Sequence, residues 1–254
     1  MNDAKIIAIT EPLINLEEPS DVRGRRMTAE EFIAYTARVS NPSNQHNTLT
    51  ASKLLKYLIE HKHWSPFEMV SVTMEINTTR DISHQIVRHR SFSFQEFSQR
   101  YANPTNDMEF VTRETRLQDH KNRQNSIETS DEELQKCWYA KQKQQAHEAK
   151  LAYNWAIENN IAKEQARTIL PEGLTTTRLY MSGTLRSWIH YIDVRAEEGT
   201  QKEHRQVALA AQEEILKHFP SLREYWFPSE SRVLPSNAKW ETTVPDSYWW
   251  KFWS

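Results

Sequence analysis

Glycine is the residue this chain does without, and that scarcity limits its possible folds more than any other feature. Among 254 residues there are only Gly24, Gly173, Gly183 and Gly199. No two stand close enough to form G-x-G-x-x-G or a Walker loop, both of which need glycine so that backbone amides can approach a phosphate. A Rossmann dinucleotide site and a P-loop are therefore excluded. If the chain binds a nucleotide, side chains must do the holding.

The totals bound the class. A chain of 254 residues can build one large domain or two small ones around a real core. With a formal net charge of −2 the molecule as a whole has no electrostatic reason to seek nucleic acid or anionic lipid, so any basic site must be local. No apolar run approaches a membrane span, and MNDAKIIAITEP lacks the parts of a signal peptide, so a cytoplasmic protein with no membrane partner is expected. The lone Cys137 rules out an internal disulfide and any zinc site built on two thiolates. Its neighbours, DEELQKCWYAKQKQQ, read as a solvated helix face and not as the setting of a catalytic thiol.

The hydrophobic period sorts the chain into elements. Thr28 and Glu31 form a capping box ahead of the helix TAEEFIAYTARVS, and TASKLLKYLIEHKH reads as a second amphipathic helix. In FEMVSVTMEI the inward positions Val70, Val72, Met74 and Ile76 alternate as in a strand. DISHQIVRHR returns to helical spacing, with Ile82 and Ile86 inward and Gln85, Arg88 and His89 on another face. Residues 102 to 130 are polar and read as irregular. A long helix follows Ser130, a further helix spans IAKEQARTIL before Pro171, and LTTTRLYMSG reads as a strand. TLRSWIHYIDVRAEE is expected to be helical, as is TQKEHRQVALAAQEEILKHF with Thr200 and Glu203 as its capping box. The expected class is α+β, a single domain over 1–226 with a small sheet flanked by helices. Residues 227–254 form an aromatic C-terminal tail expected to pack on the domain or on a neighbouring subunit.

One stretch concentrates chemistry. RHRSFSFQEFSQRY, Arg88 to Tyr101, interleaves Arg88, Arg90 and Arg100 with Ser91, Ser93, Ser98 and Gln95. Guanidinium forks suit phosphates and paired carbonyls, whereas lysine would offer only a point charge. A solvated basic face would carry more Glu and Lys, so shaped recognition is the stronger reading. Ser98 has no adjacent base to make it a nucleophile and reads as a hydrogen-bonding residue. In HKHWSPFEM, His61, His63 and Glu68 could ligate a metal, but no second ligand cluster accompanies them, and no metal is expected. In the third constellation Trp188, Ile192 and Arg195 share a helical stripe, which carries Arg195 inward, where it must be paired with an acid such as Glu197 or Glu198 or must meet a ligand.

These motifs together resemble the flavin-dependent thymidylate synthases. Arg88-His89-Arg90, seven residues, then Ser98 matches that family's signature, and the likeness extends to Ser93, Glu96, Arg100 and Tyr101. ARVS at Ala37 to Ser40, HWSPFE at His63 to Glu68, ARTILP around Arg167 and RSWIHYIDVRA with Gln201 and Glu203 follow in the family's order. The resemblance implies an enzyme that makes dTMP from dUMP, with methylenetetrahydrofolate as carbon donor and FAD, reduced by NADPH, as hydride source. It also implies a homotetramer with active sites at subunit interfaces and a fold unrelated to Rossmann domains.

Carried over by position, the resemblance places Gln85, Arg88, Glu96, Phe97, Ser98, Gln99, Arg100, Arg167 and Arg195 at dUMP. It places Ser65, Arg88, His89, Arg90, Glu96, Arg186 and His190 at FAD, and His63 beside flavin and folate. Arg195 is the expected activating residue, since a cation against the pyrimidine favours the N3-deprotonated ring and pushes electron density toward C5. Gln95, Gln99 and Gly199 depart from residues common in the family. The competing reading is an RNA-binding module in which the arginines meet phosphates and Phe92, Phe94 and Phe97 stack on bases; the acidic balance argues against any nucleic-acid partner.

Overall fold

The computed structural model describes residues 2–18, 21–107 and 109–228; the aromatic tail beyond Pro228 lies outside the described residues. Its strands are β1 (Asp3–Ile9), β2 (Asn15–Glu18), β3 (Asp21–Arg26), β4 (Ser71–Thr79), β5 (Ser93–Glu96), β6 (Arg116–Gln118), β7 (Ser126–Glu128) and β8 (Thr176–Thr184). The helices are α1 (Ala29–Ala37), α2 (Ala51–Glu60), α3 (Arg80–Ile86), α4 (Pro104–Asp107), α5 (Glu132–Glu158), α6 (Lys163–Ala166), α7 (Leu185–Arg195), α8 (Lys202–His218) and α9 (Arg223–Trp226). A four-stranded sheet in the order β1-β4-β8-β5, with helices around it, gives the α+β class that the periodicity predicts.

The described chain falls into two compact units. The first comprises Met1–Ile7, Thr73–Gly183 and Ser187–Gln212. In β4 the alternation places Met74, Ile76 and Thr78 on a buried face, and Leu179 and Met181 of β8 are equally enclosed. Ile82 and Ile86 of α3 and Trp188, Ile189 and Ile192 of α7 complete this core with no exposed surface. Helix α5 is capped by Asp131, whose carboxylate accepts from the Leu134 amide at 2.9 Å. Its inward residues Gln142, Ala146, Ala149, Tyr153 and Ala156 recur at helical spacing.

The second unit comprises Ala8–Val72, Thr184–Arg186 and the chain from Glu213. Here the expected capping box of α1 is present, with Thr28 Oγ1 accepting from the Glu31 amide and the Glu31 carboxylate accepting from the Thr28 amide. Ile33 of α1, Leu55 of α2, Phe67, Val70 and Phe219 are buried at its centre.

Several expectations need correction. Helix α3 ends at Ile86, so Arg88 and His89 stand in the turn beyond it and not on its face. The chain must reverse there so that Phe92 can enter the core and β5 can pair antiparallel with β8, Ser93 opposite Ser182. β5 itself went unforeseen because its four residues are too short to show a period. The polar stretch 102–130 is not wholly irregular; it contains α4 and the hairpin of β6 and β7. Thr200 and Glu203 form no capping box on α8. The Thr200 hydroxyl donates to the Val194 carbonyl, and the Glu203 carboxylate is drawn instead to Arg116 and Gln201.

Candidate functional site

In the first unit the turn after α3 is pinned by an aromatic anchor. The Phe92 ring meets Trp188 edge-on at a centroid distance of 4.9 Å and Tyr191 at 6.0 Å. It lies so close to β8 that a Cβ on Gly183 would fall 2.4 Å from its Cδ1. This also removes Phe92 from the stacking role that the RNA reading gave it. Held by that anchor, Arg88 and Arg90 are exposed on the turn, and among the described residues neither guanidinium has a hydrogen-bond or ion-pair partner. Arg167, in the turn following α6, is half-buried and likewise has no carboxylate partner among the described residues.

Arg195 ends α7 and is half-buried, not fully enclosed as its stripe suggests. Its partner is neither Glu197 nor Glu198. Arg195 Nε donates to His89 Nε2 at 2.9 Å, and among the described residues no carboxylate pairs with it. Because guanidinium nitrogens only donate, His89 Nε2 must accept, which makes the imidazole neutral with its proton on Nδ1. Burial and the Arg195 charge both push the His89 pKa down, in agreement with that state.

Behind this pair runs a directional chain of hydrogen bonds. Although burial acts to raise the Glu203 pKa, hydrogen bonds from Arg116 and Gln201 outweigh it and hold the carboxyl below its usual range. Being an ionised acceptor, Glu203 fixes every donor upstream: Gln201 Nε2 donates to Glu203 at 3.0 Å, and Gln85 Nε2 donates to Gln201 Oε1 at 2.8 Å. Gln85 Oε1 must then accept from His204 Nδ1 at 3.2 Å, leaving His204 Nε2 to accept from the Tyr191 hydroxyl at 3.1 Å. His204 has no exposed surface, and burial, with the Arg195 charge second, pushes its pKa down to about 3. The Tyr191 ring in turn meets His89 edge-on at 5.0 Å. Gln201 entered the sequence reading only through the family likeness and Glu203 through that likeness and as an expected helix cap, while His204 and Tyr191 were missed. His204 stands on the inward face of α8 with Val207, Ala208 and Ala211, which was the available signal.

The other expected residues have these settings in the fold. Glu96 accepts from Arg80 at 3.3 Å and from the Thr177 hydroxyl at 2.9 Å. The Phe97 amide bonds the Arg178 carbonyl, Ser98 Oγ accepts from the Arg100 amide, and Gln99 is buried. Arg100 is exposed and pairs with Glu164 at 3.2 Å. His190 is exposed on α7. In the second unit Arg186 binds Glu68, Ser65 is exposed at the start of a short turn containing Pro66, and His63 is half-buried with its ring edge toward Tyr57. His61 Nδ1 is committed to the Tyr57 carbonyl at 2.9 Å, and the capture of Glu68 by Arg186 disbands the trio that could have ligated a metal. Cys137 is exposed on α5.

A cleft of about 480 Å³ lies between Arg113, Glu114, Glu128 and Tyr139, but no expected site residue lines it. The unpaired guanidiniums of Arg88 and Arg90 suit a cofactor that carries phosphates, so the donor set fits FAD on its chemistry.

Comparison with known proteins agrees with the motifs. Residues 25–221 match the family model described as thymidylate synthase complementing protein. A protein of Paramecium bursaria Chlorella virus 1 named "Probable flavin-dependent thymidylate synthase" is 50% identical over 219 residues, covering 86% of this chain and 96% of its own length. The flavin-dependent thymidylate synthase of Synechocystis sp. is 48% identical over 220 residues, with 87% and 97% covered. The crystal structure of the UMP/dUMP methylase PolB from Streptomyces cacaoi superposes with a TM-score of 0.69 over 88% of this chain and 93% of its own, at 22% identity, a likeness of fold. Signature, matched length and fold agree, and the chain belongs to the flavin-dependent thymidylate synthase family.

Proposed function

We propose that this enzyme methylates dUMP reductively to dTMP, with methylenetetrahydrofolate as carbon donor, and that Arg195 activates the pyrimidine. FAD, reduced by NADPH, supplies the hydride when bound. The observation that carries the reading is the uncancelled guanidinium of Arg195, committed at Nε to a neutral imidazole and met by no carboxylate among the described residues.

The reaction needs uracil C5 to become nucleophilic. A fixed positive charge against the ring stabilises the N3-deprotonated form and moves electron density toward C5. An acid beside Arg195 would cancel that charge, whereas His89 orients it without neutralising it. No thiol adduct is invoked, consistent with an exposed Cys137 whose Sγ donates to Glu133 at 3.8 Å.

The nucleotide set is Gln85, Arg88, Glu96, Phe97, Ser98, Gln99, Arg100, Arg167 and Arg195, in which Arg88 and Arg167 bring guanidinium groups that have no carboxylate partner among the described residues. The flavin set is Ser65, Arg88, His89, Arg90, Glu96, Arg186 and His190, with His63 toward flavin and folate. The enzyme acts as a cytoplasmic homotetramer with active sites where subunits meet. Supporting assembly, Leu151 and Trp155 of α5 are 56% and 60% exposed on the face opposite its buried residues. Among the described residues no helix is long and apolar enough to cross a membrane.

The test is Arg195→Ala in flavin-loaded protein. Loss of dTMP formation with the flavin spectrum intact is expected; wild-type turnover would remove Arg195 from this role. Sedimentation of the purified protein as a monomer would overturn the tetramer.

A further inference from the structure

We infer that His204 is a positioning residue for nucleotide binding: its Nδ1–H fixes the Gln85 side-chain amide so that Gln85 presents a hydrogen-bond donor, not an acceptor, to its ligand. The inference rests on the reading that Gln85 meets dUMP, and deepens it.

The argument is one of atoms and directions. An amide side chain can turn over, exchanging oxygen for nitrogen, unless its partners forbid it. For Gln85 they do. Its Nε2 faces Gln201 Oε1, which is fixed as an acceptor because Gln201 Nε2 donates to the ionised Glu203. Its Oε1 faces His204 Nδ1, and only the tautomer with a proton on that nitrogen completes the bond. The opposite nitrogen of the ring is then free to accept from the Tyr191 hydroxyl, which lies 3.1 Å away. Gln85 is left with one uncommitted N–H, matched to a carbonyl or phosphate oxygen. If the His204 proton were lost from Nδ1, the carbonyl of Gln85 would be released to rotate outward and would repel that same oxygen.

His204 also joins the two halves of the constellation. Through Nδ1 it governs Gln85; through Nε2 it holds Tyr191, whose ring lies against His89, the partner of Arg195. A ring buried only to fill space would need a fitting shape but no particular arrangement of donor and acceptor. His204 has both nitrogens satisfied with opposite roles.

Two substitutions separate these functions. In His204→Asn the amide nitrogen takes the place of Nδ1 and can still donate to Gln85, while the bond to Tyr191 is lost. His204→Gln reaches the Nε2 position and can accept from Tyr191, but leaves Gln85 Oε1 unmet. Calorimetric titration of dUMP into flavin-loaded protein should give a dissociation constant raised about tenfold in His204→Gln, on the scale of one neutral hydrogen bond, and within about twofold of wild type in His204→Asn. Equal constants for the two variants would reduce His204 to packing and overturn the inference. Gln85→Leu should weaken dUMP by at least as much. If it does not, Gln85 does not touch the nucleotide, and the inference falls for that separate reason. Should either histidine variant fail to fold, nitrogen-15 spectra of histidine-labelled wild type decide the matter: a proton on Nδ1 of His204 supports the assignment, and one on Nε2 overturns it.

Discussion

Helix α7 carries an arginine in its first turn and another at its end, and the protein treats them in opposite ways. Arg186 is bound to the carboxylate of Glu68, while Arg195 is bound to the neutral ring of His89. The first pair is an ordinary ion pair, about 42% and 41% exposed, whose charges cancel and whose worth is diluted by solvent. The second keeps its guanidinium oriented while leaving the charge whole. The partner therefore decides how much of an arginine's charge is left over: a carboxylate cancels it, and an imidazole held neutral by burial leaves it whole. Elsewhere in the first unit Arg80, Arg113 and Arg116 each have a carboxylate, and they tie the scaffold together.

That contrast can be broken at several points. The largest effect is expected at Arg195. Replacing it with alanine should lower dTMP formation about a thousandfold or more, the range found when a transition-state charge donor is removed, with melting temperature and flavin content near wild type. Arg195→Lys retains the charge but loses Nε, and an activity between those two extremes, read in the same assay, would show how much depends on the hold by His89.

The next effect is acid sensitivity. His204 in the folded protein takes up a proton only near pH 3, while in the unfolded chain it does so near 6.5. The unfolded state therefore binds more protons below pH 6.5, and the stability tied to the neutral ring, complete above that value, is lost progressively as pH falls toward 3. Between pH 6.5 and 5 the loss is about 2 kcal/mol, at about 1.4 kcal/mol per unit. Urea midpoints measured across that window should fall in wild type and flatten in His204→Asn. A parallel fall in both would mean that other groups set the acid limit.

Glu68→Gln sits lower on the scale. It removes an exposed pair and should cost less than about 1 kcal/mol in urea unfolding. Cys137→Ala should be the smallest change of all, with turnover within about twofold of wild type. A folded but inactive Cys137→Ala protein would bring a covalent thiol step back into consideration and end the case for charge alone.

Much of the scaffold was legible in the sequence because period reports burial. Val72, Met74 and Ile76 alternate and lie on one buried face of the sheet; Ile82 and Ile86 keep helical spacing and are enclosed. The capping box at Thr28 was readable because both its partners are local. At Thr200 the same local pattern misled, because Arg116, 87 residues before Glu203, competes for that carboxylate. The four residues of β5 left no periodic trace. The site was legible as a set of residue types: the RHR signature and Arg195 stand out, and the structure brings His89 and Arg195 into contact. The partners themselves were not legible. His204 reads as one more polar residue in KEHRQ, and nothing local announces that it lies opposite Gln85, 119 positions earlier.

The absent side chain at Gly183 has a reach well beyond its strand. Even a single methyl group there would strike the Phe92 ring, which stands two positions past Arg90, and would lever the loop out of its socket. The placement of Arg88 and Arg90, the guanidiniums proposed to meet a phosphate, thus depends on a single carbon that Gly183 does without. A chain so sparing of glycine has placed one at the point on which that turn is anchored.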